Sequence, residues 1–215
     1  VLPILLASLT PAHSENQAPA IGTTDNPVAL VALSQTLFEF AHKERDPYML
    51  ITAAKLRKRA ILREQAMVSE EIGGQPHVGK THTPLLSWQQ MLDVAVKYAR
   101  GNPFAIGLID DLRALRQKGV VDGAVYSSAV IKPRGKRRYS NIPFEGGEFA
   151  LVYSVGQNEA NIDMHVFNAK GHIICSQTDP SVINQCGWTP KATTNVTVVL
   201  QNNSDRSSGY SLVTN

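Results

Sequence analysis

Apolar positions follow two different periods along the chain, helical spacing up to Gly119 and alternation after it. Leu30, Leu33, Leu37 and Phe38 share one face of a first helix, and Leu50, Ile51, Ala54 and Ile61 one face of a second. Trp88, Met91, Leu92, Ala95 and Ala99 mark a third; Phe104, Leu108, Ile109, Leu112 and Leu115 mark a fourth. Each run follows a capping residue and a proline: Asn26-Pro27, Asp46-Pro47, Thr83-Pro84 and Asn102-Pro103. Proline is well placed there, because N–H groups in a helix's first turn have no intrahelical acceptor. Ser87 and Gln90 have the spacing of a capping box, and Gly101 is a stop signal. The starts fall in two pairs, which predicts two antiparallel helical hairpins. Residues 68 to 83, rich in Gly, Pro and His, read as a loop between them.

Beyond the fourth helix, Phe149, Leu151, Tyr153 and Val155 alternate, as do Ile162, Met164 and Val166; Val196, Val198 and Leu200; and Tyr210 and Leu212. Turn residues separate these sets at Glu145-Gly146-Gly147, Asn168 to Gly171 and Asn202 to Asp205. Short strands at this spacing, with no helical run between them, predict an antiparallel β-sandwich or jelly roll. The expected fold class is therefore α+β with two segregated domains: an α-helical domain over 26–119 and a β-sandwich over 120–215, divided near residue 120.

The chain opens on an apolar run, Val1 to Leu9, followed by small residues at Ala12-His13-Ser14. This reads as the remnant of a secretory signal peptide over 1–14, clipped at its front, with a flexible start to the mature protein over 15–25. The alternative is a buried or frayed N-terminal segment. No later run approaches the roughly 20 apolar residues of a membrane span, so no transmembrane segment is expected in the mature chain. With 43% hydrophobic residues in 215 there is ample material for packed cores, and a formal charge of +3 does not call for a nucleic-acid partner. Export also bears on Cys175 and Cys186, the two cysteines. An oxidising compartment favours a disulfide between them; two free buried thiols are the alternative.

The C-terminal 80 to 95 residues resemble the bacterial pre-peptidase C-terminal domain, on Gly146-Gly147-Glu148-Phe149, Asn161 to Phe167, the turn Asn168 to Gly171 and the closing Gly209 to Asn215. The resemblance implies a small non-catalytic sandwich attached to exported proteins, aiding secretion, localisation or substrate binding. Members often carry Asp-x-Asp where this chain has Asn161-Ile162-Asp163. Asn161, Asp163 and Asp179, near Asn158 and Glu159, are the candidate calcium ligands; the competing reading is local turn hydrogen bonding. No other cofactor is indicated, and the helical half carries no such resemblance.

Gly74 to Thr81 satisfies G-x-x-x-x-G-K-T, and Ala105 to Asp110 imitates the apolar run and acid that accompany it in nucleotide-binding sheets. The context opposes that chemistry, because Ser69 to Gly73 is no apolar strand and Asp110 falls in a predicted helix. His77 and His82 lie in the same loop, with His42 elsewhere, and no third or fourth ligand is spaced for a metal. Two basic clusters remain. Lys55, Arg57, Lys58, Arg59 and Arg63 read either as an anion-binding helix face or as a solvated one. Lys132, Arg134, Lys136, Arg137 and Arg138, at a hairpin tip around Gly135, are candidate surface-binding residues. No catalytic residue is assigned. The function expected is an exported, non-catalytic binding or accessory protein of the bacterial periplasm, envelope or secreted space, its partner an envelope protein or surface polymer. The alternative is a hydrolase with His77 or His82 beside Glu70, Glu71 or Asp93.

Overall fold

The computed structural model describes residues 26–76, 85–115, 123–157 and 161–215. Its elements are α1 (Pro27–Glu44), α2 (Pro47–Ala60), β1 (Arg63–Glu64), β2 (Ser69–Gly73), α3 (Trp88–Ala99), α4 (Pro103–Ala114), β3 (Val125–Ile131), β4 (Gly135–Phe144), β5 (Ala150–Gly156), β6 (Ile162–Phe167), β7 (Ile173–Gln177), β8 (Ile183–Trp188), β9 (Thr194–Asn202) and β10 (Ser208–Thr214). The class is α+β, with the helices ahead of the main run of strands. The signal remnant and flexible start expected over 1–25 lie outside the described residues.

Asn26, Asp46 and Asn102 cap their helices as the spacing predicts, each carboxyl or amide oxygen accepting from two backbone N–H groups just behind the proline. The third helix starts later than expected. Residues 85–87 are not helical, and Ser87 forms the reciprocal capping box with Gln90, so it opens the helix in place of Thr83-Pro84. Arg45 and Arg100 end α1 and α3 in the left-handed region, followed by Asp46-Pro47 and Gly101. Both hairpin turns stand at the same end of the helical layer, where Tyr48 meets Asn102 and Phe104.

Two five-stranded sheets pack face to face, in the orders β1-β3-β10-β5-β8 and β2-β4-β9-β6-β7. Their inner faces supply Ala150, Val152, Ile162, Met164, Val166, Val196, Val198, Leu200, Tyr210 and Leu212. The predicted alternation is present, but the set Leu151, Tyr153 and Val155 faces the other way. With Val213 it packs on Val28, Val31 and Ala32 of α1 and on Ala60 of α2. Successive strand residues point to opposite faces, so β5, buried along nearly its whole length, serves two cores at once. The molecule has three layers, helices on sheet on sheet, and the helical and β parts share an interior.

The domain expected to be α-helical, 26–119, also contains strands. After α2, residues 63–64 pair in parallel with β3, and residues 69–73 pair antiparallel with β4, so this one segment borders both sheets along the same side of the sandwich. Part of the expected 68–83 loop is thus strand β2; residues 77–84 lie outside the described residues. Gly123 lets the chain enter β3 against the exit of α2, where any β-carbon would stand 2.0 Å from the Ile61 carbonyl oxygen. On the opposite side, the expected disulfide joins Cys175 of β7 to Cys186 of β8, with a Cα separation of 6.2 Å. It links the edge strand of one sheet to the edge strand of the other. Trp188 meets the ring of Phe144 edge-on, at 4.9 Å between centroids.

Candidate functional site

Two places carry chemistry beyond packing, one where the helices meet the sandwich and one at the far end of the helical layer. The first is built on α2. Leu50, Ile51, Ala54, Arg57 and Lys58 recur at helical spacing, so the two cations occupy the inner face, and they are 2% and 5% exposed. The basic cluster read from the sequence as a surface feature is thereby split: Lys55, Arg59 and Arg63 are exposed, Arg57 and Lys58 are interior. The signal that finds them is the apolar period itself, which runs through positions 57 and 58.

Arg57 is held by neutral acceptors. Its Nε donates to the Ser34 hydroxyl at 2.7 Å, Nη1 to the Leu86 carbonyl at 2.9 Å, and Nη2 to Gln35 Oε1 at 2.9 Å and the Val31 carbonyl at 3.4 Å. Burial pushes its pKa down to about 10, with Tyr153 opposing the shift. Gln35 passes the network on to Glu39 through Nε2 at 3.0 Å. Lys58 caps the end of α4, its Nζ donating to the Leu112 and Leu115 carbonyls at 2.6 Å each, and it stands 4.1 Å from the centroid of the Trp88 ring. Cations are favoured at a helix C-terminus, and an indole face attracts an ammonium group. Behind this pair, Tyr153 is buried under α1 with its hydroxyl unpaired, and burial raises its pKa.

At the far end, the two hairpin turns bring an aromatic group to the surface. Asn102 caps α4 with its Oδ1 and donates from Nδ2 to the Tyr48 hydroxyl at 3.1 Å. Tyr48 leans on Phe104 at 6.2 Å between centroids, 46° between planes. Phe104 is 67% exposed and Tyr48 41%, with Met49 and Leu108 exposed nearby in sequence on the same two helices. On the neighbouring turn His42 stacks on Phe38, and its Nδ1 is 3.1 Å from the Tyr98 hydroxyl.

The candidates named from the sequence fall elsewhere. Of the second basic cluster, Lys132 and Arg137 pair with Glu71 at 3.0 and 3.7 Å, Arg138 with Glu70 at 3.6 Å and Arg134 with Asp205 at 2.8 Å. Glu70 and Glu71 stand directly opposite Arg138 and Arg137 in the ladder, and Ile72 opposite Lys136. Lys132, Arg137 and Arg138 thus help dock β2 onto the β3–β4 hairpin, while Lys132, Arg134 and Arg138 stay about half exposed and Lys136 is exposed. Of the acids in the hydrolase reading, Glu70 and Glu71 pair with cations of the β3–β4 hairpin, and Asp93 pairs with Arg113 at 3.3 Å. His77 and His82 lie outside the described residues.

Gly74 does follow a strand, contrary to the sequence reading, but an exposed antiparallel edge strand, and Gln75 N–H donates back to the Pro133 carbonyl. Asp110 sits on α4 beside Arg113 at 3.6 Å. Neither belongs to the parallel strand-loop-helix unit that a phosphate-binding loop requires.

For calcium, Asn161 Oδ1 and Asp163 Oδ1 are buried and unpaired, while Asp179 is exposed in the β7–β8 turn. Among the described residues no three of His, Cys, Asp and Glu come together as a metal site. Calcium takes roughly six to eight oxygens, and Asn161 and Asp163 offer two that are unsatisfied here. Asn158 and Glu159 lie outside the described residues.

No protein-family model and no curated protein matches the chain. Solved structures similar to part of it include two bacterial proteins. The Yersinia pseudotuberculosis-derived mitogen shares 15% identity at a TM-score of 0.32, over 44% of this chain and 86% of that one. The Aeromonas hydrophila PliG, a periplasmic lysozyme inhibitor of g-type lysozyme, shares 13% at 0.24, over 43% of this chain and 74% of that one.

Proposed function

We propose that this chain is an exported, non-catalytic binding protein of the bacterial envelope whose helical turns dock a partner protein. The observation that carries the reading is the exposed pair Tyr48 and Phe104, fixed by Asn102 at the end of a rigid helical layer. Exposed aromatic side chains held in one geometry lose little entropy on binding and are the usual anchors of protein interfaces. The rings are tilted by 46° and flanked in sequence by Met49 and Leu108, which suits apolar side chains better than the flat faces of a sugar polymer. The Cys175–Cys186 disulfide and the apolar start of the chain support export. In this reading the sandwich is of the pre-peptidase C-terminal type and serves as the platform on which the helices stand.

The test is site-specific photo-crosslinking in the native envelope, with a benzophenone amino acid at Tyr48 or Phe104 and, as control, at the exposed Ile173 of β7. Adducts of a defined protein mass at the two turn positions, absent at Ile173 and abolished by Leu108→Asp, support the proposal. Equal labelling at all three positions, polymer adducts alone, or none at Tyr48 and Phe104, refutes it.

A further inference from the structure

A cavity of about 270 Å³ opens where the end of α2, the start of α3 and β3 meet. Arg57, Lys58, Leu62, Trp88, Gln89 and Tyr126 are among its walls, and Ile61, Leu85 and Leu86 extend the apolar part. Three features give it a positive, polar side. Arg57 brings a guanidinium charge that meets no carboxylate among the described residues, every one of its hydrogen-bond acceptors being neutral. Those four bonds use four of the five donors an arginine carries, leaving one on Nη1, the nitrogen that reaches Leu86 in the cavity wall. The first turn of α3 also borders the space: Ser87 caps Gln90, and Trp88 and Gln89 are the residues whose N–H groups lack intrahelical acceptors. Lys58 adds a second cation over the Trp88 ring.

A buried cation with neutral partners is costly unless an anion sits near it, and a helix start raises the same positive potential. The leucines and the indole beside it favour a ligand with an apolar body. We propose that this cavity binds a small organic carboxylate, its head against Arg57 and the first turn of α3 and its body against Leu62, Leu85 and Trp88. The tyrosine hydroxyl at the rim is not needed for the head group, since Tyr126 donates to Glu64 at 3.4 Å.

The experiment is an NMR titration of the full chain, following the Trp88 indole N–H, with the signal assigned by Trp188→Phe. The probes are hexanoate and phenylacetate, their amides, and sodium sulfate. The carboxylates are expected to give saturable shifts and the amides to bind at least tenfold more weakly. Arg57→Met also removes the bonds that tie α1 to α2, so the deciding variant is Gln89→Glu, an exposed position on the cavity wall where an added carboxylate opposes its positive side. It is expected to weaken both carboxylates at least tenfold while the melting temperature stays within a few degrees. Equal binding of amides, saturation by sulfate alone, no saturation by either carboxylate, or an unchanged affinity in a folded Gln89→Glu chain overturns the proposal.

Discussion

Arg57 of α2 donates to the hydroxyl of Ser34 of α1 at 2.7 Å, and that hydroxyl donates in turn to the Val31 carbonyl at 2.8 Å. The first turns of α1 are thus tied to α2 by a charged group inside the layer that rests on β5. Arg57→Met removes four hydrogen bonds from this interior and is expected to lower unfolding free energy by about 2–4 kcal/mol, against about 1 kcal/mol for Ser34→Ala. Arg57→Lys does not restore it, because an ammonium cannot span Ser34, Leu86 and Gln35 together. Urea unfolding of the three variants measures this, and a loss in Arg57→Met no larger than in Ser34→Ala contradicts the assigned role.

The disulfide closes a separation of 11 residues between the two sheets. For a loop of that size, restriction of the unfolded chain is worth roughly 2–3 kcal/mol. Replacing both cysteines by alanine is expected to lower stability by that amount without loss of the β-rich circular dichroism spectrum. Equal denaturation midpoints for the oxidised parent and the double variant would show that the bridge adds nothing.

β2 is fastened to β4 by opposite charges in register, Glu70 on Arg138 and Glu71 on Arg137, with Lys132 of the β3–β4 turn also on Glu71. Each partly exposed pair is worth under about 1 kcal/mol, yet reversing both acids places like charges across the ladder. Glu70→Lys with Glu71→Lys is expected to speed amide exchange at residues 69–73 at least tenfold and to uncover the edge of β4, promoting self-association. Unaltered exchange there would mean that the backbone ladder alone secures the strand.

Tyr139, Tyr153 and Tyr210 are buried and their pKa values are raised above 10.0, by burial first in each case. Tyr139 and Tyr210 also share a hydroxyl–hydroxyl hydrogen bond in the sandwich core. The folded chain therefore holds protons that the unfolded chain releases above pH 10, so this contribution to stability is fully present below pH 10 and falls as pH rises from there toward the folded values. Absorbance at 295 nm should show these three ionising only together with unfolding. Smooth ionisation of all six tyrosines in a folded chain would contradict it.

Local signals in the sequence translate most directly into structure. The helix starts at Asn26, Asp46 and Asn102 depend on a side chain reaching amides two or three residues away, and the capping box at Ser87 on one reaching Gln90. Alternation in β5, β6, β9 and β10 is likewise a local property of the extended chain. Strand β2 is not legible in the sequence, because Ser69 to Gly73 shows no apolar alternation and its partners come from residues 135–139, more than sixty positions on.

Sequence alone determined the kinds of element present, where three of the four helices begin, and which cysteines could join, since each follows from chemistry within a few residues or from there being one pair. Tertiary structure decided which faces those elements turn to one another. Leu151, Tyr153 and Val155 meet helices and not the opposite sheet, and Arg57 and Lys58 turn inward although charge alone placed them on the surface. An alternating strand or an apolar helical stripe states that a face is buried, but not against what; that is settled only when distant segments compete to cover it. The cavity beside Arg57 and the aromatic pair at the hairpin turns are products of that competition, assembled from segments 23 to 69 and 54 to 56 positions apart respectively.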